Sequence, residues 1–230
     1  MVMFDQVIKT DRVKIATIIA IIFHMIGLTG ILFFQNNLII QSTPLNLMLM
    51  VALIWYTEEQ KGKSFYLFFI ISFLAGILVE TIGVNTGLLF GDYGYGDVLG
   101  PKVLEVPVLI GLNWFMVMYC VGTGTRMLYE KIRTEKERAE KSWKKWALVF
   151  DSALIAVFFD WLMEPVAIKL DFWKWNGTGE IPMFNYASWF VISFILLFIF
   201  DRMKWKKNNL FAINLLLIQS MFFLILRTFL

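Results

Sequence analysis

A single cysteine, Cys120, and a single histidine, His24, are the only thiol and imidazole in this sequence, which excludes an internal disulfide and any thiolate metal cluster. It has no Gly-rich phosphate loop, no serine nucleophile elbow and no zinc-ligand spacing, so the machinery of nucleotide, serine-hydrolase and zinc chemistry is missing. The last apolar run contains no lysine, which removes a retinal Schiff base from consideration. Charge is scarce too. Asp, Glu, Lys and Arg make up 17% of residues against 59% hydrophobic and 17% aromatic, with a mean hydropathy of +0.68. Such values lie outside ordinary globular domains and mark an integral membrane protein.

Apolar runs near the ~20 residues that cross a hydrocarbon core fall at 15–34, 40–57, 64–83, 103–124, 146–164, 184–200 and 210–227. The expectation is an all-α membrane protein of about seven transmembrane helices in one polytopic domain, 1–230. The second run is interrupted by "QST" and Pro44, although proline near a helix start is tolerated. "MVMFDQVIKTDRVK" resembles the basic leader of a signal peptide, but the apolar run behind it is too long and lacks a small-residue cleavage site, so it is expected to persist as the first helix. All basic residues except Lys102, Lys169, Lys174 and Arg227 fall on one side of a seven-span arrangement. The positive-inside rule then predicts a cell-membrane protein with a cytoplasmic amino terminus and outward-facing loops around "GDYGYGD". The mixed-charge run "RMLYEKIRTEKERAEKSWKKW" suits solvent or an anionic leaflet, not nucleic acid.

Internal similarity suggests duplicated helix pairs, near 15–57, 64–124 and 146–200, with a final helix near 210–227. "VPVLIGLNWF" matches "IPMFNYASWF", and Glu80 precedes Tyr93 and Tyr95 by the intervals at which Asp160 precedes Trp173 and Trp175. "HMIGLTGILF" from His24 is a weaker third copy of "ETIGVNTGLLF" from Glu80. A bland reading competes: proline and tryptophan also mark helix starts at the membrane interface.

Ionisable groups at membrane depth default to a functional reading because each costs a few kcal/mol to insert. His24 is placed near mid-depth, with Glu80, Asp160 and Glu164 toward the outer end; Asp160 and Glu164 are four apart and share a helical face. Removal from water disfavours the charged carboxylate, and a neutral carboxylic acid can donate a proton. Tyr93, Tyr95, Trp114, Trp161, Trp173, Trp175, Tyr186 and Trp189 surround them in sequence and either anchor at headgroups, the commoner role, or offer faces to a transient cation. Asp92 and Asp97 of the loop, without calcium-loop spacing, and Asn113 and Asn185 beside the matched tryptophans complete the candidate set. "NGT" at Asn176 reads as a glycosylation acceptor or as a turn.

"ETIGVNTGLLFGDYGYGDVLGPKVLEVPVLIGLNW" resembles the signature of the membrane-bound carotenoid biosynthesis family, whose members include carotenoid 1,2-hydratases. The matching positions are Glu80, Gly83, Phe90, Gly91, Tyr93, Tyr95, Leu99, Gly100, Pro101, Val106, Pro107 and Trp114. "DWLMEPVAIKLDFWKW" resembles a second block at Asp160, Glu164, Pro165, Trp173 and Trp175, with Glu-Pro where the family has Asp-Pro, so the carboxyl reaches further. The resemblance covers roughly Glu80 to Trp189. It implies addition of water to the terminal C=C of an acyclic carotenoid end, without cofactor or metal, with Glu80, Asp160 and Glu164 as catalytic candidates. His24, Tyr93, Tyr95, Asp92, Asp97, Asn113, Trp114, Trp173, Trp175, Asn185 and Trp189 would then line the substrate. Partners on this reading are a lipophilic carotenoid, water, the bilayer and other enzymes of the pathway. Two alternatives stand beside it: an intramembrane prenyltransferase or terpenoid cyclase, because "DWLME" loosely imitates a metal-diphosphate motif, and a small-solute transporter coupled through Glu80 and Asp160.

Overall fold

The computed structural model describes residues 2–34, 36–132, 143–177 and 179–230. In chain order these form α1 (Val2–Leu32), α2 (Asn37–Gln41), α3 (Thr43–Thr57), α4 (Lys63–Thr86), β1 (Tyr93–Tyr95), β2 (Lys102–Val103), β3 (Val106–Pro107), α5 (Leu109–Ile132), α6 (Trp143–Lys169), β4 (Trp173–Trp175), α7 (Met183–Arg202) and α8 (Leu210–Phe229). The middle of the mixed-charge run, 133–142, lies outside the described residues.

Five helices are long and apolar enough to cross a membrane: Thr10–Leu32 of α1, all of α4, Trp146–Lys169 of α6, α7 and α8. The chain is a multi-pass membrane protein. Apolar side chains such as Ile18, Ile22, Leu74, Leu78, Val191, Ile195 and Leu217 are about half exposed on the outside of the bundle, where lipid would take the place of a protein partner.

The other two apolar runs behave differently. α3 has 15 residues, about 22 Å at 1.5 Å per residue, which falls short of a ~30 Å hydrocarbon core. Pro44 sits in its first turn, where a missing N–H costs nothing. The run beginning at 103 turns helical only at Leu109, because Lys102–Val103 and Val106–Pro107 first fold back on each other. Leu104 and Glu105 take up positive φ between them, the geometry of a tight hairpin turn. α5 is the bundle's axis, packed by α3, α4, α6, α7 and α8. Its residues Trp114–Thr123 are buried all round, as expected of a helix enclosed by others.

Close packing on that axis depends on small residues. A Cβ at Gly76 of α4 would lie 2.6 Å from the Trp114 ring, and one at Gly83 would lie 2.8 Å from the Tyr93 hydroxyl. Both glycines therefore let α4 come close enough to α5 and β1 for the groups it carries to be reached.

The loops after α4 and α6 are zipped together. β1 pairs antiparallel with β4, Tyr93 opposite Trp175, Gly94 opposite Lys174 and Tyr95 opposite Trp173. The pairing continues at both ends, Gly96 N–H donating to the Phe172 carbonyl and Asn176 N–H to the Asp92 carbonyl, each at 2.9 Å. Asn176 also donates its side-chain amide to Asp92 Oδ1 at 2.7 Å, the behaviour of a turn residue.

Pro165 lies inside α6 and cannot donate to the carbonyl of Trp161 one turn back. The final helix repairs this. Arg227 in the last turn of α8 donates its guanidinium to that carbonyl and lies 3.6 Å over the Trp161 ring. The sequence offered no motif for α8, and this contact gives its end a specific task.

Candidate functional site

α4 delivers Glu80 to the end of the bundle that carries the paired loops. Both of its oxygens are engaged by donors: Tyr93 Oη and Tyr95 Oη bond Oε2, the latter at 2.7 Å, and Trp114 Nε1 bonds Oε1 at 2.9 Å. One turn apart on α6, Asp160 and Glu164 face the same cavity. Trp173 and Trp175 donate their indole N–H groups to Glu164 Oε2 at 3.0 and 3.1 Å. From α7, the Asn185 amide reaches Asp160 Oδ2 at 2.9 Å and Glu164 Oε1 at 3.3 Å. Asp160 Oδ1 is buried with no partner. Glu80, Asp160 and Glu164 are all nearly inaccessible.

Antiparallel pairing of β1 with β4 explains how one strand pair serves two carboxylates. Alternate side chains of a strand share a face, so the Tyr-x-Tyr and Trp-x-Trp of β1 and β4 turn the same way, phenols toward Glu80 and indoles toward Glu164. Burial first, and the adjacent Glu80 charge second, push both the Tyr93 and Tyr95 phenols above their ordinary range. They keep their protons and serve as donors. Beneath them the Trp114 and Trp189 rings stack, centroids 4.2 Å apart and 11° from parallel.

The enclosed space, about 30 Å³, is lined by the three carboxyls together with Phe90, Tyr93, Tyr95, Ile110, Asn113, Met163, Trp173, Trp175, Asn185 and Trp189. It adjoins a second cavity of about 100 Å³ between α1, α3, α5, α6 and α8, whose walls are mostly aliphatic and aromatic. Ile110, Asn113, Met163 and Trp173 line both. An apolar chamber and an acid chamber thus meet at a shared wall.

Most sequence candidates converge here, but not all. Tyr93, Tyr95, Trp173 and Trp175 bond to carboxylates inside the protein, which sets aside the headgroup-anchor reading for them. Glu164, not Asp160, receives the two indoles, so in hydrogen bonding the counterpart of Glu80 is Glu164. His24 lines the apolar cavity instead of the acid one, its Nδ1 2.7 Å from the Ala20 carbonyl and its ring edge-on to Phe222. Asp92 and Asp97 stay in the loop between α4 and α5. Asp97 is fully exposed and pairs with Lys102 at 2.9 Å, and Lys102 also donates to the Tyr95 carbonyl; these contacts brace the loop.

Sequence reasoning missed a second buried polar cluster. At the opposite end of the bundle Glu58 accepts from Tyr119 Oη and from Gln60 N–H, while the Asn209 amide donates to Thr57 Oγ1 at 2.9 Å and Tyr119 Oη at 3.2 Å. A cavity of about 500 Å³ opens beside it. It is the larger space, but its walls contain two carboxylates, Glu58 and Glu59, and no aromatic ring. The acid chamber is the better candidate for chemistry.

A family model described as "Carotenoid biosynthesis protein" matches residues 11–230. The chain belongs to this family. Among curated proteins, bisanhydrobacterioruberin hydratase of Haloarcula japonica is 24% identical over 127 residues, covering 54% of this chain and 40% of the relative. This family member therefore spans less than half of that relative's length. No solved structure matches it. Its acid chamber is built by segments within the matched range, and all three carboxyls fall inside it.

Proposed function

We propose that this protein hydrates the terminal C=C bond of an acyclic carotenoid end group. One observation carries the reading: three buried carboxyls with aromatic walls share a partition, Ile110, Asn113, Met163 and Trp173, with a cavity lined mostly by apolar side chains. Protonating the less substituted alkene carbon produces a tertiary carbocation. That step needs a neutral acid beside the bond, and the cation needs carboxylates or ring faces close by. Glu80, Asp160 and Glu164 supply the carboxyls, and Tyr93, Trp173, Trp175 and Trp189 the faces. Membership of the carotenoid biosynthesis family and the distant hydratase relative support the same substrate class.

A metal-diphosphate reaction fits less well. Three of the roughly four lone-pair sites on each of Glu80 and Glu164 already accept N–H or O–H donors. Among the described residues, no three His, Cys, Asp or Glu side chains are grouped closely enough to hold a metal ion.

The reading carries an architecture with it. All seven apolar segments cross the membrane, the second as α2 and α3 together (37–57), with the basic helix ends in the cytoplasm and the paired loops outside. α4-β1-α5 and α6-β4-α7 are two copies of one unit, supported by the antiparallel β1–β4 register and the Trp114–Trp189 stack. In a Cys120→Ser background, a cysteine placed at position 97, where the side chain is fully exposed, should react with impermeant reagents from outside only; labelling solely from the cytoplasmic side overturns the orientation. Expression in a host that makes lycopene, followed by pigment mass analysis, tests the activity. An adduct of one water supports it, and unchanged pigment across several acyclic carotenoids sinks it.

A further inference from the structure

We infer that Asp160 is the catalytic acid, the one carboxyl of the three that holds the proton delivered to the substrate. The identity of the proton's acceptor rests on the hydratase reading; the location of the proton does not.

A carboxylate is an acceptor only, whereas a carboxylic acid has one donor to place. Glu80 is met by three donors, two phenols and an indole, and Glu164 by three, two indoles and an amide. The indoles and the amide at Glu164 can only donate, and at Glu80 two phenols converge on Oε2 while the donor-only Trp114 indole holds Oε1. These are the surroundings of ionised groups, since charge-assisted bonds are the strong ones. Asp160 differs. Its only donor is the Asn185 amide, on Oδ2, while Oδ1 is buried and unpartnered. An ionised oxygen left bare and dry is far more costly than a neutral hydroxyl in the same place.

Charge balance leads to the same group. Among the described residues, none of the three carboxyls forms an ion pair with a basic side chain. Three adjacent anions in one dry chamber repel, and such clusters keep a proton on one member. The proton settles where the fewest donors compete with it, on Asp160. Asp160 lines the acid chamber, and Met163, three residues further along α6, forms part of the partition from the apolar cavity.

The step balances without a co-reactant beyond water. The Asp160 O–H bond breaks as the alkene π pair forms a C–H bond at the less substituted carbon. The tertiary cation lies among the Glu80 and Glu164 carboxylates and the tryptophan faces. Water bonds to the cationic carbon, and the proton it sheds returns to the Asp160 carboxylate, so the acid is restored in each turnover. Asn185, bonded to both α6 carboxyls, is a positioning residue that keeps Oδ2 occupied and leaves Oδ1 without a donor.

Infrared spectroscopy of the purified protein in lipid nanodiscs reads the proton directly. A carboxylic-acid C=O band sensitive to H2O/D2O exchange should be present in the unaltered protein, persist in Glu80→Gln and Glu164→Gln, and vanish in Asp160→Asn. A band that survives Asp160→Asn, or is lost only in one of the Glu variants, overturns the assignment. In lycopene-producing cells, Asp160→Asn should lose at least about 100-fold of the water adduct, the lower end of what general acids contribute, while the Glu variants are impaired but measurable. An Asp160→Asn protein as active as the original overturns the acid role. If Asp160→Asn does not fold, Asp160→Glu takes its place: it should shift the band and the pH profile, and unchanged values for both refute the inference. A protein that never hydrates yet loses its band in Asp160→Asn refutes the hydratase reading and leaves the proton where it is placed here.

Discussion

Gly76→Ala would test whether the acid chamber depends on the close approach of α4 to α5. The added Cβ would lie 2.6 Å from Cδ1 and Cγ and 2.7 Å from Cβ of Trp114, well inside contact distance. Trp114 cannot swing aside freely, because it is fully buried, stacked on Trp189 and bonded through Nε1 to Glu80. Overpacking of this kind costs about 1–3 kcal/mol. At about 2–4 °C per kcal/mol for chains of this length, the melting midpoint in detergent should fall by about 2–12 °C. Relief of the clash by tilting the indole would break its bond to Glu80, so hydration of lycopene should fall as well. Gly94→Ala is the matched control, since nothing lies within 4 Å of its Cβ position. Thermal unfolding followed by near-ultraviolet circular dichroism of the tryptophans, with pigment analysis in parallel, reads both effects. A Gly76→Ala protein as stable and active as Gly94→Ala would refute the packing argument.

Other perturbations test separate parts of the structure. Arg227→Leu should lower stability by about 1 kcal/mol or more by leaving the Trp161 carbonyl without a donor, and the loss should shrink in a Pro165→Ala background, where the helix supplies an N–H; additive effects in that double-mutant cycle would deny the coupling. Lys207, in the segment joining α7 to α8, is held down to about 8 by burial first and the nearby Arg126 charge second. Between about pH 8 and 10.5 the unfolded chain keeps a proton the folded one has shed, so stability should rise with pH across that window and level off above it; Lys207→Met should flatten the rise, and an unchanged pH profile would show that this lysine is not its cause. Ile110→Trp, at the partition between the two cavities, should block hydration of long carotenoids while the infrared carboxyl band persists, and full activity would show that substrate enters elsewhere.

Much of the site was legible because its parts are local in sequence. Glu80 stands 13 and 15 residues before the two tyrosines that bond it, a separation spanned by a helix end and one loop. Trp173 and Trp175 follow Glu164 by 9 and 11 for the same reason. Apolar runs near membrane length identified the long helices, since lipid demands internally satisfied backbone. Five of the seven runs form helices that qualify by length and composition; α3 is shorter, and the run at 103–124 begins as a hairpin before it turns helical. Repeat spacing pointed to Asp160 as the partner of Glu80. The indoles chose Glu164 because the register of β4 and one extra turn of α6 put that carboxyl, not its neighbour, within their reach.

Composition and spacing alone thus determined a membrane protein, its long helices and a cluster of acids and aromatics near one end, since hydropathy and local geometry depend on neighbours in the chain. Tertiary structure alone decided the pairing of β1 with β4, the Trp114–Trp189 stack, the binding of Arg227 to the carbonyl that Pro165 frees, and the single bare oxygen on Asp160. Each of these joins groups on different elements, or depends on which donors other elements bring, and a donor's choice of acceptor is settled only when the helices have packed.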